Sequence, residues 1–107
     1  DYRALVEKVF GENQDMDGLF CSSDIIAATA IQEAARREIA IPSSLKIVGF
    51  DDTWYSSSLT PSLTTVRQPI KEMAMIAISS LEAALKAGSF PSSTIKLDVS
   101  LVVREST

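Results

Sequence analysis

The sequence predicts an α/β fold in which a parallel sheet is flanked by helices. Three observations lead there. Two short apolar runs, Gly18-Leu19-Phe20-Cys21 and Leu45-Lys46-Ile47-Val48-Gly49-Phe50, are bounded by polar residues, as buried strands are. Stretches with apolar residues at helical spacing precede and separate these runs. The connections are short, so consecutive strands lie side by side and parallel, joined by right-handed crossovers with helices packed on the sheet.

Taken in order, Tyr2, Leu5, Val6, Val9 and Phe10 give an amphipathic helix over residues 2–12, stopped by Gly11, Glu12 and Asn13. The strand at 18–21 follows a polar turn over 14–17. Ser23 or Asp24 can cap the next helix by accepting from its free N–H groups. That helix carries Ile25, Ala28, Ile31, Ala35 and Ile39, and Glu33 and Arg37, four residues apart, can pair on its exposed side. Arg36-Arg37 is flanked by Glu33 and Glu38 and reads as part of a solvated helix face. Pro42 and Ser43-Ser44 end the element before the strand at 45–50.

Residues 52–63 are rich in Ser, Thr and Pro and form a surface loop, in which Trp54, Tyr55 and Leu59 are unexpectedly apolar. Leu63 to Arg67 is β-branched and extended. Pro69 opens the longest helix, with Ile70, Met73, Ala74, Ala77, Ile78, Leu81 and Leu85 in one stripe and Gly88 as the stop. A turn over 89–93 contains Pro91. Ile95, Leu97 and Val99 then alternate as a strand does, and Leu101-Val102-Val103 form a last short strand. There is no internal repeat and no low-complexity segment.

With 107 residues the chain is one domain or a large piece of one. A hydrophobic content of 46% suits a globular protein that buries a real core. The net charge of −4, without a run of like charges, argues against nucleic-acid binding by this region alone. A single cysteine, Cys21, excludes an intrachain disulfide and leans towards a reducing compartment. No apolar run reaches membrane-spanning length, and no leader peptide is visible at a start that already reads as a helix.

Catalysis has little to work with. Histidine is absent, which removes the commonest general base and metal ligand. No phosphate loop, dinucleotide glycine pattern or zinc-spaced cysteine pair occurs. Cys21 lacks a base to activate it and reads as a buried strand residue. No catalytic residue, metal site or cofactor is therefore expected.

The carboxylates remain. In open α/β sheets ligands bind beyond the carboxyl ends of strands, and Asp51 is the first polar residue after the second strand. Asp51 and Asp52 could act as an acid–base pair, ligate a cation, or accept hydrogen bonds from a hydroxyl- or amine-bearing ligand. For Asp51 the binding reading leads. Asp52 reads equally well as the cap of the following turn. Asp24 opens a helix, where Asp is more often a cap than a ligand contact, and Ser23 could do either.

The order of signatures resembles the lactose-repressor/galactose-repressor family of bacterial transcription regulators. They are Asp17-Gly18-Leu19-Phe20-Cys21-Ser22-Ser23-Asp24, Ile41-Pro42, Ile47-Val48-Gly49-Phe50-Asp51-Asp52, Leu63-Thr64-Thr65-Val66-Arg67-Gln68-Pro69, and Leu101-Val102-Val103-Arg104-Glu105-Ser106. Together they cover nearly the whole chain. Gly-Phe-Asp alone would also fit an exported sugar- or solute-binding protein that feeds a transporter, which shares the fold.

The resemblance implies a periplasmic-binding-protein-like fold of two α/β lobes with ligand between them, preceded by a helix-turn-helix head. Residues 1–64 would be the later part of the second lobe and 65–68 a crossover between lobes. Residues 69–98 would supply a helix and strand of the first lobe, and 99–107 the final strand and tail of the second. A sugar or nucleoside-like effector would be bound by Asp51, Ser23, Asp24 and Gln68, Ser23 standing where many members carry Asn. The family's dimer surface would fall on Ile25, Ala28, Thr29 and Gln32 of the helix and Trp54, Tyr55 and Leu59 of the loop. DNA would be reached only through a head absent from this chain. The protein would be a cytoplasmic, ligand-responsive homodimer with no membrane contact.

Overall fold

A computed structural model describes residues 1–90 and 92–107. Two compact units are formed, one by Asp1–Arg67 with Ser100–Thr107 and one by Gln68–Val99.

In the first unit, helix α1 (Tyr2–Glu12) leads to strand β1 (Gly18–Phe20), helix α2 (Asp24–Arg36), strand β2 (Lys46–Phe50) and strand β3 (Thr64–Arg67). Strand β4 (Ser100–Val102) completes a sheet of order β1-β2-β3-β4. The first three strands are parallel and β4 runs antiparallel to β3. All three parallel strands therefore end at one edge, where Cys21, Asp51 and the segment after Arg67 emerge. Pairing continues one step past β1, because Cys21 N donates to Val48 O at 2.8 Å.

The core is made by Val6 and Phe10 of α1, Ala27, Ala30, Ile31 and Ala34 of α2, and Cys21, Leu45, Ile47 and Leu63 from the sheet and its flanks. Burying a side chain such as Ile47 or Leu63 contributes about 1.5–3 kcal/mol. Alanines along the inner face of α2 let it lie close to β2. α1 begins with Asp1 as a cap, its carboxylate accepting from Arg3 N at 3.0 Å.

Three details differ from the sequence reading. α2 stops at Arg36 rather than running to Ile39, because Glu38 takes a left-handed φ of 58° that no helix tolerates. Glu33 is buried, not exposed, and it sits under Arg36 and Arg37, with Arg37 Nε at 2.6 Å. Arg36 and Arg37 are correspondingly not a free solvated pair. Arg36 also reaches Glu7 of α1 at 3.1 Å, and the Arg37 guanidinium lies 5.5 Å from the centre of the Phe10 ring.

The tail after β4 is sewn to the sheet. Ser106 Oγ accepts from Thr64 N at 2.8 Å and donates to Ile47 O at 2.6 Å, bridging the amino ends of β2 and β3. The Glu105 carboxylate accepts from the Ser62 amide at 3.0 Å and hydroxyl at 2.9 Å. Arg104 N donates to Thr64 Oγ1 at 2.7 Å. Arg104, Glu105 and Ser106 thus form a latch, bonded to β2, to β3 and to Ser62 just before β3.

In the second unit, α3 (Ile70–Ala87) ends at Gly88, whose φ of 70° is the left-handed turn that glycine makes without strain. Its apolar stripe forms as expected, but Ile70, Met75, Ile78, Leu81 and Leu85 stand exposed and only Ala84 is buried. The alternating stretch Ile95–Val99 is not a strand. A strand needs a neighbour to take its backbone groups, and alternation alone does not supply one. The turn expected over 89–93 includes Pro91, which lies outside the described residues.

Candidate functional site

The carboxyl edge of the sheet is organised by Asp24. Its side chain is 0% exposed and accepts four hydrogen bonds. Oδ2 takes the Thr53 amide at 2.7 Å, the Thr53 hydroxyl at 3.0 Å and the Ser56 hydroxyl at 2.6 Å. Oδ1 takes the Thr65 hydroxyl at 2.6 Å. Thus the start of α2, the loop after β2 and the middle of β3 are tied at one carboxylate. Gly49 makes room for it, since a Cβ there would collide with Asp24 Oδ1 and lie 2.9 Å from Leu63 Cδ2. A glycine inside a strand marks such a close approach.

This corrects two expectations. Asp24 does not cap α2 and its enclosed carboxylate has no exposed surface for a ligand; it positions the loop instead. Ser23 occupies the N-cap position, but its hydroxyl makes no capping bond. Ser23 is half-buried at the sheet edge beyond β1.

Asp51 and Asp52 follow β2 with φ values of 114° and 51°. Non-glycine residues rarely hold such angles, and each costs about 1–3 kcal/mol unless its surroundings enforce it. The backbone there is fixed: Asp51 N donates to Val66 O at 2.9 Å, and Asp52 N to Thr65 Oγ1 at 3.3 Å. Asp51 is half-buried at the edge.

Asp52 is neither an acid–base partner nor a turn cap. Its carboxylate binds Arg104 Nη2 at 2.7 Å and Arg67 Nε at 2.5 Å. Burial alone would raise its pKa, but the hydrogen bonds from Arg104 and then Arg67 outweigh that and hold it below the usual carboxylate range. A lowered folded-state pKa means this contribution to stability is complete above the ordinary value. It is lost as pH falls through the lowered one.

The other residues singled out from sequence divide by exposure. Gln68 opens the second unit, where its carbonyl accepts from Ile70 N at 2.9 Å. Trp54 is 87% exposed and stands edge-on to the Tyr55 ring, 5.6 Å between centres. Ile25 and Gln32 are exposed on α2, while the Thr29 hydroxyl donates to Ile25 O at 2.8 Å. Ala28 is buried, and Leu59 is half-buried against the core of its own unit.

Among the described residues no three acidic, Cys or His groups gather as a metal site, and no helix is long and apolar enough to cross a membrane. The apolar hollow lined by Leu5, Val6, Val9, Phe20 and Ile26 does not include Asp51 or Asp24 in its wall. Cys21 is buried, and burial together with the nearby Asp24 charge pushes its thiol up to about 11. Native protein at pH 8 is accordingly expected to resist iodoacetamide, and denatured protein to react fully. Rapid native labelling, read by mass spectrometry, would contradict this placement.

The mainly parallel sheet flanked by helices, with Asp51 emerging at the carboxyl end of β2, defines an α/β domain of the binding-protein type of architecture. The comparisons with known proteins agree. A domain described as periplasmic binding protein-like matches residues 2–107. The ribose operon repressor of Halalkalibacterium halodurans is 37% identical over 105 residues, which is 98% of this chain and 30% of the relative. The structure of a complex of the transcriptional regulator CelR with cellobiose superposes with a TM-score of 0.92 at 24% identity, covering 99% of this chain and 32% of that one. A LacI-family transcriptional regulator from Arthrobacter sp. FB24 in complex with lactose gives a TM-score of 0.84 at 25% identity, covering 99% and 40%. The chain belongs to the periplasmic-binding-protein-like domain family. It spans about a third of the length of the curated relatives it matches.

Proposed function

We propose that this chain is the later part of the effector-binding region of a cytoplasmic bacterial DNA-binding regulator, which binds a sugar or similar small metabolite. The observation that carries the reading is the half-buried Asp51 at the carboxyl edge of a sheet whose relatives are repressors of sugar operons along nearly the whole chain. Asp51 would accept hydrogen bonds from ligand hydroxyls, with Ser23 beside it. Gln68 would contribute from the crossover formed by residues 65–68.

The first compact unit would belong to the second lobe, and residues 69–98 to the first. The exposed stripe of α3 would be covered by the rest of that lobe. Ile25, Thr29, Gln32, Trp54 and Tyr55 would contribute to a two-fold dimer surface. Ligand would act only through its different affinity for two lobe arrangements, altering the spacing of two DNA-reading heads outside this chain.

The test is a gel-shift titration of the full protein on DNA taken from ahead of its own gene. Addition of D-ribose, sucrose, lactose or cellobiose is expected to change the retained fraction. Retention unchanged by all four sugars, or no retention at any protein concentration, would defeat the reading.

A further inference from the structure

We propose that Asp52, Arg67 and Arg104 are positioning residues, which set the backbone conformation of Asp51 and so aim its carboxylate for ligand. The proposal rests on the reading of Asp51 as the ligand-binding acid.

The argument begins with a conformation that the residue types do not favour. Two consecutive non-glycine residues, Asp51 and Asp52, hold positive φ. A strand end relaxes out of such angles unless it is over-determined from outside. The restraints come from the later flank and from Asp52 itself. On the later side, Thr53 is fixed through its amide and hydroxyl to Asp24. At Asp52 itself the side chain, 8% exposed, is gripped by Arg104 and Arg67.

Arg104 is the more enclosed of the two arginines, its side chain 17% exposed against 57% for Arg67. It is also held at its other prong, since Nη1 donates to Leu63 O at 2.7 Å. The guanidinium thus uses its planar fork to join the carboxylate after β2 to the backbone before β3. Lysine carries its three donors on one atom at the end of a flexible stem and lacks the rigid fork that fixes both contacts. The backbone of Arg104 is locked in turn to Thr64, through the amide bond to Oγ1. A line of fixed contacts runs from the tail through Arg104 to Asp52 and its neighbour Asp51. Arg67 closes the triad from the end of β3, immediately before the chain leaves the first unit.

This account gives the sequence pair Asp51-Asp52 a division of labour. The first acid is presented, and the second is consumed in holding it. It also gives the closing Val102-Val103-Arg104 a part in ligand binding without any contact to ligand.

The experiment uses the full protein with Asp52→Asn, Arg104→Gln, Arg104→Lys and the Asp52→Asn/Arg104→Gln double variant. Backbone amide exchange is read by mass spectrometry over residues 50–56 and over the sheet at 18–20, 46–49 and 64–67. Breaking one partner of an enclosed ion pair is expected to raise exchange at 50–56 about tenfold or more, while the sheet stays protected. Arg104→Lys restores part of the protection, and the double variant adds little to either single one. Affinity for whichever of D-ribose, sucrose, lactose or cellobiose the wild type binds falls in step.

Unchanged exchange at 50–56 would overturn the proposal. So would an equal rise across the sheet, which is the mark of a general staple. Raised exchange at 50–56 with unaltered sugar affinity would overturn it as well. Absence of sugar binding by the wild type counts against the ligand role of Asp51, and the exchange pattern still upholds or overturns the clamp. Asp52→Asn keeps the shape of the side chain, so the comparison survives if an Arg104 variant fails to fold.

Discussion

Replacing Asp24 with alanine is expected to cost the full protein about 3–5 kcal/mol of stability, measured by urea unfolding. The substitution removes the sole acceptor shown for the Thr53 amide and for the hydroxyl donated by Thr65, in a place closed to water. Each buried donor left without a partner costs about 1–3 kcal/mol, which is why the loss exceeds that of one ordinary hydrogen bond. Asp24→Asn is milder: its oxygen can serve the three donors at Oδ2, and the Thr65 hydroxyl can turn to accept from the amide. Gly49→Ala reaches the same failure from the strand side, because the added methyl displaces the carboxylate from its seat. A loss below about 1 kcal/mol for Asp24→Ala would mean that the knot is not what holds the loop.

The second large effect concerns response rather than stability. Asp51→Ala is expected to abolish the effect of sugar on DNA retention, with the thermal midpoint within a few degrees of the wild type. A carboxylate that accepts from ligand hydroxyls contributes about 1.5–3 kcal/mol per charged hydrogen bond, or roughly ten- to hundredfold in affinity each. Asp51 is half-buried and absent from the hydrophobic core, so its replacement opens no cavity there. Asp51→Asn serves as the companion variant, because Asn tolerates positive φ better than Ala. An unchanged dose–response in both variants would remove Asp51 from the site.

The sheet was legible because its signals are local. The runs ending at Cys21 and Phe50 carry their own boundaries, and the stripes of α1, α2 and α3 repeat at helical spacing within a few turns. The failures were of two kinds. Ile95, Leu97 and Val99 alternate, yet strand formation depends on a partner that the alternation cannot name. The edge beyond the strands is built from residues distant in sequence: Thr53 meets Asp24 across 29 positions, and Arg104 meets Asp52 across 52. Nothing near Asp24 in sequence reveals three hydroxyls converging on it. Gly49 was the one available clue, a small residue in a strand otherwise made for bulk. The place of Asp51 at the end of β2 follows from the strand alone, whereas the fate of Asp52 depends on the fold of the tail.

Calorimetric titration of the full protein with D-ribose, sucrose, lactose and cellobiose, with Asp51→Asn alongside, tests the central claim most directly. The account predicts saturable binding of at least one sugar, one per chain, weakened roughly tenfold or more by the substitution. Failure to bind any of the four, or equal affinity in the variant, would contradict it.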